Sequence, residues 1–477
     1  MKRAPIVLLV LLCSSAYAEE ALTEADAHTA LERAVTFFRT QVSASGSYLW
    51  RYSTDLTKRE GEGKASATTG WVQPPGTPTV GHAYLRAYES TGERYLLEAA
   101  IETGHALVMG QLKSGGWDYR IEFDADARRK CSYRKGPESA HGSNVTTLDD
   151  NTTQEAVRFL MRLDEALDFK NSDIHECVTY ALAELLKAQY PNGAWPQRFE
   201  APPDPAKFPV KPASYPQSWS RVYPRVDYRN YYTFNDGTIG DMIDIMLDAW
   251  ECYSDAKYRE AAVKGGDFIV LAQMPDPQPG WAQQYDQDMH PAWARKFEPP
   301  AVTGGESQSV LRTLIALAQR ANEPRFLEPV PRALAYFRKS LLPDGRLARF
   351  YELQTNKPLF FTKDYQLTYD GSDVPTHYSF HSTSRLDELQ AMYEAAKSGK
   401  PTVAPLKRNG LGEGAVEAAA KSAINALDAR GAWLSDLPLK TFEAEEPGIK
   451  TIDSAVFVKN VDALSAYIAL KKEKPSK

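Results

Sequence analysis

Two groups of acidic residues precede predicted helices and have the composition of a cation site. Asp149 and Asp150, followed by Asn151, lead into one amphipathic stretch, and Asp236 leads into another. Such side chains often cap helices, but the Thr-x-x-Glu pattern of residues 152–155 already predicts a capping box there. Adjacent carboxylates repel each other unless a cation lies between them, and calcium takes several oxygen ligands. We therefore predict that Asp149, Asp150 and Asp236 bind Ca²⁺, with helix capping as the alternative.

Four basic residues lie in or just after a short sequence element that recurs along the chain. They are Arg198, Arg295, Arg349 and Lys363. Arginine is well suited to carboxylates because its planar fork can donate two parallel hydrogen bonds. In an acidic chain, a local set of cations predicts a cleft for an anionic polymer. Taken singly, each of these residues is equally consistent with an ordinary solvated surface position.

The recurring element contains glycine followed by tryptophan or another large residue. It occurs at residues 46–52, 116–120, 193–198, 280–285, 345–351 and, degraded, 431–434. Pairs of segments with helical apolar spacing lie between these elements: 153–168 with 174–190, 238–253 with 257–273, and 306–321 with 326–342. Repeated antiparallel helix pairs stack into a solenoid or close into a ring. We predict an all-α fold, an (α/α) toroid with its long loops at one rim, where functional residues concentrate.

Three further patterns help to place residues on this scaffold. Residues 202–227 contain seven prolines, which predicts an extended loop over the rim. A second Thr-x-x-Glu pattern at residues 303–306 predicts another capping box. Trp117, Trp195 and Trp281 are equally consistent with stacking on sugar rings and with filling the core between helices. No nucleophile elbow, phosphate-binding loop or metal-binding histidine spacing is found in the sequence.

The first 18 residues are typical of a signal peptide. Lys2 and Arg3 form a basic end, residues 6–12 an apolar core, and residues 16–18 (Ala-Tyr-Ala) a cleavage site. Cleavage would lower the net charge from −6 to −8, because both basic residues leave with the peptide. That charge argues against nucleic acid as a partner, and no later apolar run approaches the roughly 20 residues of a membrane span. We predict an exported protein, periplasmic or extracellular, not membrane-bound after cleavage, and monomeric.

Seven motifs, in order along residues 75–395, resemble those of the pectate lyases of polysaccharide lyase family 10. They are residues 148–153 (Leu-Asp-Asp-Asn-Thr-Thr), 192–199 (Asn-Gly-Ala-Trp-Pro-Gln-Arg-Phe), 232–237 (Tyr-Thr-Phe-Asn-Asp-Gly), 281–286 (Trp-Ala-Gln-Gln-Tyr-Asp), 294–298 (Ala-Arg-Lys-Phe-Glu), 304–307 (Gly-Gly-Glu-Ser) and 348–361, which starts Ala-Arg-Phe-Tyr-Glu-Leu and ends Lys-Pro-Leu-Phe-Phe. The chain departs from the family in its acidic run, which has Asp-Asp-Asn where the family has Asp-Asn-Asp. Residues 371–377 also lack an arginine-rich stretch.

This resemblance implies an (α/α) toroid that cleaves polygalacturonate, an acidic polysaccharide, by calcium-assisted β-elimination. Carboxylates matching Asp149 and Asp236 would hold the Ca²⁺ ion, and Arg295 matches the family's base, which removes the C5 proton of a uronate. Lys363 matches a second basic residue that contacts substrate and is more often arginine in the family. The candidate substrate-binding residues are Arg198, Asn235, Arg349 and Lys363.

Two other functions are consistent with the same residues. A glycoside hydrolase would use two carboxylates, such as Asp149 with Asp236 or Glu306, about 6.5–9.5 Å apart if it inverts configuration. A non-catalytic polyuronate-binding protein would keep the arginines and tryptophans without chemistry. The predicted organisation is a signal peptide at 1–18, a toroid at 19–400, and C-terminal helices at 401–477 that complete the same domain.

Overall fold

The computed structural model describes residues 22–136, 139, 141–402, 412–442 and 449–472. The predicted signal peptide at residues 1–18 lies outside these ranges. Within them the chain forms thirteen α-helices: α1 Glu24–Phe37, α2 Thr77–Thr91, α3 Arg94–Gly110, α4 Ala125–Arg128, α5 Thr152–Ala166, α6 Ser172–Lys187, α7 Thr238–Tyr253, α8 Ala256–Leu271, α9 Gly304–Arg320, α10 Val330–Lys339, α11 Leu386–Lys397, α12 Glu413–Ala426 and α13 Ser454–Lys472. None of the helices in these ranges is long and apolar enough to cross a membrane.

The helices form the predicted (α/α) toroid. Helices α2, α5, α7, α9 and α11 pack one against the next, and α3, α6, α8 and α10 pack behind them as antiparallel partners. At the C-terminal end, α13 packs against both α1 and α2, and α12 packs against α13. The two ends of the described chain therefore lie in the same array of helix pairs, next to α2.

The helix predictions are confirmed with small shifts at the ends. Helix α7 covers the predicted residues 238–253, and α5, α6, α8 and α9 begin or end within a few residues of their predicted limits. Helix α10 begins later than predicted, at Val330, because residues 324–327 form a separate 3-10 turn. Pro331 lies in the first turn of α10, where a residue without an N–H group is tolerated.

Short strands connect the helices at the rim. They are β1 Arg51–Ser53, β2 Arg59–Glu60, β3 Thr69–Trp71, β4 Arg120–Glu122, β5 Thr146–Thr147, β6 Arg198–Phe199, β7 Tyr232–Thr233, β8 Gln284–Tyr285, β9 Ala301–Thr303, β10 Leu347–Ala348, β11 Phe350–Glu352, β12 Pro358–Phe361, β13 Leu367–Thr368, β14 His381–Ser382, β15 Leu434–Ser435 and β16 Thr451–Asp453. All pairings are antiparallel, in two four-stranded sheets (β15-β16-β1-β2 and β13-β12-β11-β9) and four two-stranded ones. The proline-rich segment 202–227 is a loop without regular secondary structure except for one 3-10 turn.

The tryptophans of the repeated element fill the core between helices. Trp117, Trp195 and Trp281 are fully buried. Each indole N–H donates to a backbone carbonyl of the preceding helix: that of Leu107 at 2.9 Å, Leu185 at 2.9 Å and Ile269 at 2.8 Å. Stacking of these rings on sugars is therefore wrong, and the core interpretation is confirmed. A buried indole needs both apolar contacts and a hydrogen-bond acceptor, and the end of each helix supplies both.

Candidate active site

The starts of α5 and α7 have the same backbone conformation. Residues 149–151 and 235–237 each form a 3-10 turn that runs directly into the helix. The middle residue of each turn is left-handed: Asp150 has φ 50° and ψ 32°, and Asp236 has φ 50° and ψ 28°. This conformation is unfavourable for a residue with a Cβ, by about 1 kcal/mol or more, and such strain concentrates at functional sites. The turns therefore present Asp150 and Asp236 from equivalent positions of successive repeats.

The two turns bring three carboxylates together, as the sequence predicts. Oxygen atoms of Asp149, Asp150 and Asp236 lie within 4.8 Å of one another. Burial, together with the charges of Asp150 and Asp149, raises the pKa of Asp236 to about 6. Burial and the charge of Asp149 also raise the pKa of Asp150. An all-oxygen group whose members repel one another suits a hard cation such as calcium, so these residues fit the ion.

Among the described residues, Asp149 accepts three hydrogen bonds from protein side chains, whereas Asp150 and Asp236 accept one each. Its oxygens accept hydrogen bonds from Gln197 Nε2 at 3.0 Å, the Tyr119 hydroxyl at 3.1 Å and Arg198 Nη2 at 3.4 Å. Asn235, the equivalent residue in the second turn, donates from its amide to Asp236. The first residue of each turn thus fixes the local structure, and the second is the less engaged acidic group.

Both predicted capping boxes are wrong. The residue preceding α5 is Asn151, whose side chain makes no capping bond, and Glu155 accepts a hydrogen bond from Arg158 at 2.9 Å. At α9 the Thr303 hydroxyl donates to a backbone carbonyl, and Glu306 accepts from Arg349 Nη2 at 3.0 Å. In each case a neighbouring arginine competes successfully for the glutamate, because a charge-assisted bond is stronger than a bond to a backbone N–H.

Two arginines line the same cleft as the acidic turns, and each is bound to a glutamate. Arg295 donates through Nε at 2.9 Å and Nη2 at 2.5 Å to Glu298, which raises the pKa of its guanidinium above the ordinary value. The positive charge of Arg295 in turn lowers the pKa of Asp236 against the effect of burial, so the two groups share one electrostatic environment. Arg349 is held by Glu306.

These groups line one cleft of about 500 Å³. Of the predicted residues, it contains Asp149, Asp150, Asp236, Asn235, Arg198, Arg295 and Arg349. Lys363 is not among its lining residues, and its amine pairs with Asp373 at 2.8 Å instead. The cleft also contains residues that we did not single out from the sequence: Glu62, Tyr119, Gln197, Tyr228, Gln283, Glu298 and Tyr378. Only Gln197, Gln283 and Glu298 had a signal, since they lie within the quoted motifs; the tyrosines had none.

A larger cavity of about 720 Å³ runs along α7 and α9. Its charged residues mostly neutralise one another: Asp248 contacts Arg320 at 2.6 Å and Arg158 at 3.4 Å, and Arg320 also contacts Asp244 at 3.3 Å. These ion pairs join neighbouring helices of the ring. The cavity contains neither Asp150 nor Asp236, so we place the candidate site in the smaller cleft.

Fold and cleft define the class of protein: an (α/α) toroid whose rim carries opposed acidic and basic groups. Residues 111–347, close to half of the chain, match the sequence model of the pectic acid lyase family. This range contains the acidic turns, Arg295 and six of the seven motifs, and the seventh begins directly after it. The chain therefore belongs to the pectic acid lyase family and is a polysaccharide lyase.

Solved structures with a similar fold include both lyases and sugar isomerases. A family 10 polysaccharide lyase from Cellvibrio cellulosa is 22% identical, with 62% of this chain and 90% of that chain covered and a TM-score of 0.44. A mutant of a family 10 lyase from the same organism, in complex with trigalacturonic acid, is 20% identical over 67% and 98% of the two chains, with a TM-score of 0.44. A D-mannose isomerase is 15% identical over 94% and 98%, with a TM-score of 0.43. No curated protein matches the chain.

Proposed function

We propose that this polysaccharide lyase is a calcium-dependent pectate lyase that cleaves polygalacturonate by β-elimination. The observation that carries the proposal is the single cleft that Asp150 and Asp236 line together with Arg295 and Arg349. A uronate carboxylate is an anion, so an acidic group can face it only through a cation, whereas the arginines can bind it directly. The trigalacturonic acid bound to a family 10 lyase mutant supports the same substrate class.

In this proposal the acidic turns hold the ion and the basic groups handle the sugar. Calcium held by Asp149, Asp150 and Asp236 would neutralise the uronate carboxylate and make its C5 proton more acidic. Arg349 and Arg198 bind substrate oxygens, and Asn235 keeps Asp236 in place through its amide. Lys363 would act at the margin of the cleft, where its ion pair with Asp373 has to open before the amine can bind a uronate.

Arg295 is the proposed base. It removes the proton from C5, the electron pair of that bond forms the C4–C5 double bond, and the bond from C4 to the glycosidic oxygen breaks. The leaving oxygen takes a proton, so the products are a new chain end and an unsaturated uronate. Because Glu298 raises the pKa of Arg295, the neutral guanidine is scarce at neutral pH, and we expect the rate to increase into the alkaline range.

An inverting glycoside hydrolase is disfavoured by the spacing of the carboxylates. Oxygens of Asp149 and Asp236 approach within 4.8 Å, which leaves no room for the water that an inverting enzyme places between carboxyl groups about 6.5–9.5 Å apart. Glu306, the other candidate, is almost fully buried and bound to Arg349. A non-catalytic polyuronate-binding protein remains the alternative that the experiment below separates.

The test follows absorbance of the unsaturated product. Purified protein and polygalacturonate are incubated at alkaline pH with calcium and then with a chelator, beside Arg295→Ala. Arg39→Ala is the matched control, because Arg39 also binds a glutamate, Glu102, through Nε and Nη2 but lies away from the cleft. We expect absorbance that the chelator abolishes, that Arg295→Ala reduces to a slow residual rate, and that Arg39→Ala leaves intact. Reducing ends without absorbance would indicate hydrolysis, and binding without either product would indicate a binding protein.

We also propose that the protein acts outside the cytoplasm. The support is the sequence pattern of residues 1–18 and the polymeric substrate, which cannot cross a membrane intact. Expression of the full chain, followed by sequencing of the N-terminus of the protein recovered outside the cytoplasm, tests this directly. The expected new N-terminus is Glu19.

A further inference from the structure

Glu298 is the most heavily engaged acidic residue of the cleft, although it carries none of the proposed chemistry. It is 2% exposed. Its two oxygens accept four hydrogen bonds: from Arg295 Nε at 2.9 Å, Arg295 Nη2 at 2.5 Å, the Arg295 backbone N–H at 3.1 Å and the Tyr378 hydroxyl at 3.0 Å. A carboxylate bound in this way has a fixed orientation, and it transmits that orientation to whatever it binds.

The geometry leaves one edge of the Arg295 guanidinium available. Glu298 occupies the edge formed by Nε and Nη2, and within the described part of the chain Nη1 has no hydrogen bond. The Arg295 side chain is 45% exposed and lines the cleft. Since the guanidinium is planar, two bonds along one edge fix its plane and therefore the direction of the remaining nitrogen.

Tyr378 extends this arrangement to the second arginine of the cleft. The guanidinium carbon of Arg349 lies 4.2 Å from the centre of the Tyr378 ring, and that of Arg295 lies 5.8 Å from it. The hydroxyl of the same ring donates to Glu298. One buried carboxylate and one phenol ring therefore fix the spacing between the two arginines, through contacts that an aliphatic side chain could not make.

We infer that Glu298, supported by Tyr378, is a positioning residue that directs Nη1 of Arg295 toward the reacting uronate. This inference rests on the proposed function, because it assigns to Arg295 the removal of the proton. Glu298 contacts Arg295 and not the sugar, so its contribution should appear only while Arg295 is present. A purely structural glutamate would instead affect folding and activity independently of Arg295.

The test is a double-mutant cycle between Glu298→Gln and Arg295→Ala, measured as kcat and KM with saturating calcium. Glutamine has the shape of glutamate but only one acceptor oxygen, so its two terminal atoms cannot accept hydrogen bonds from both Nε and Nη2 of Arg295. We expect a loss of about 100-fold in kcat, as for a small misplacement of a reacting group, with KM within about twofold of the wild type. In the Arg295→Ala background, Glu298→Gln should cause no further loss.

Glu352→Gln is the matched control. Glu352 is also buried and accepts hydrogen bonds from an arginine, Arg221, and from the hydroxyl of a tyrosine, Tyr369, but it does not line the cleft. It should lower the melting temperature to a similar degree while leaving kcat unchanged. If Glu298→Gln does not fold, Tyr378→Phe removes a single bond to Glu298 and should lower kcat about fivefold with KM unchanged.

Each outcome separates this inference from the proposed function. If the wild type forms no unsaturated product that depends on calcium, the proposed function is refuted, and so is the inference that rests on it. If the wild type is active but the losses in kcat from Glu298→Gln and Arg295→Ala multiply in the double variant, only the inference is refuted. The same holds if Glu298→Gln or Tyr378→Phe changes KM rather than kcat, or if Glu352→Gln lowers kcat equally.

Discussion

Replacing Asp236 by asparagine should stabilise the calcium-free protein while removing its response to calcium. The pKa of Asp236 is raised from 3.8 to about 6, first by burial and then by Asp150 and Asp149. The folded state therefore holds the proton more tightly than the unfolded state does, and stability decreases as the pH rises from about 4 to about 6. Asparagine carries no charge at any pH. Above pH 6 the variant lacks this penalty, whereas below pH 4 the two proteins should be equally stable.

The size of the effect follows from the same shift. A change from 3.8 to about 6 corresponds to about 3 kcal/mol for a fully buried group. Protein atoms surround much of the Asp236 carboxylate, but the residue is still exposed to water where it lines the cleft. Because this water screens the repulsion, we expect about 1–2 kcal/mol. Unfolding of a chain of this length has an entropy of about 1 kcal/mol per degree, so the melting temperature should rise by about 1–2 °C. Calcium at 100 times its Kd would stabilise the wild type by about 2.7 kcal/mol.

The assay is thermal unfolding of wild type and Asp236→Asn in a chelator at pH 3.8, 5 and 8, repeated at pH 8 with calcium. In the chelator, the melting temperatures of the variant and the wild type should be equal at pH 3.8, and that of the variant should be higher at pH 8. Calcium should raise the melting temperature of the wild type only, so that the wild type then melts above Asp236→Asn. A variant that melts below the wild type at pH 8 in the chelator, or that retains the full calcium shift, would refute the assignment of Asp236 to a repulsive cation site.

Four other substitutions test the cleft and the scaffold. Arg349→Ala should raise KM about tenfold or more with a smaller change in kcat, because it removes a charge-assisted bond to the substrate; a change in kcat alone would contradict that role. Lys363→Ala should raise KM less than Arg349→Ala in the same assay, since its amine is engaged by Asp373 outside the cleft. Trp195→Ala should destabilise the fold by about 3–5 kcal/mol in denaturant unfolding, as for a buried aromatic side chain, whereas a sugar-stacking role would affect KM alone. Gly193→Ala should cost about 2 kcal/mol or more in that measurement, because φ is +96° and the new Cβ would lie 2.0 Å from a backbone carbonyl of α8; an unchanged midpoint would exclude this strain.

The sequence was a good guide where local chemistry decides the structure. Helices such as α5 and α7 have apolar residues at helical spacing, so their limits could be placed within a few residues. The glycine-tryptophan element marked the end of successive helix pairs, because the tryptophan has to reach the carbonyl of the helix that precedes it. Asp149, Asp150 and Asp236 were candidates because adjacent carboxylates at helix starts are unfavourable without a ligand.

Predictions failed where a distant partner competes for a side chain. Glu306 was expected to cap α9, but Arg349, which is 43 residues away in the chain, binds it. Tyr378 had no sequence signal, yet its hydroxyl and ring connect Glu298 with both arginines of the cleft. The choice between core and sugar contact for Trp195 likewise depended on burial, which residue type and spacing do not reveal.

The sequence alone determined the all-α ring of helix pairs and the set of acidic and basic groups at its rim. These properties follow from apolar periodicity and from residue types at helix ends, both of which act over short distances along the chain. Only the tertiary structure decided that Asp150 and Asp236 occupy equivalent left-handed turns, that Asp149 is held by Gln197, and that Glu298 holds Arg295. Those contacts depend on how successive helix pairs are oriented around the ring, and many side chains far apart in sequence set that orientation together.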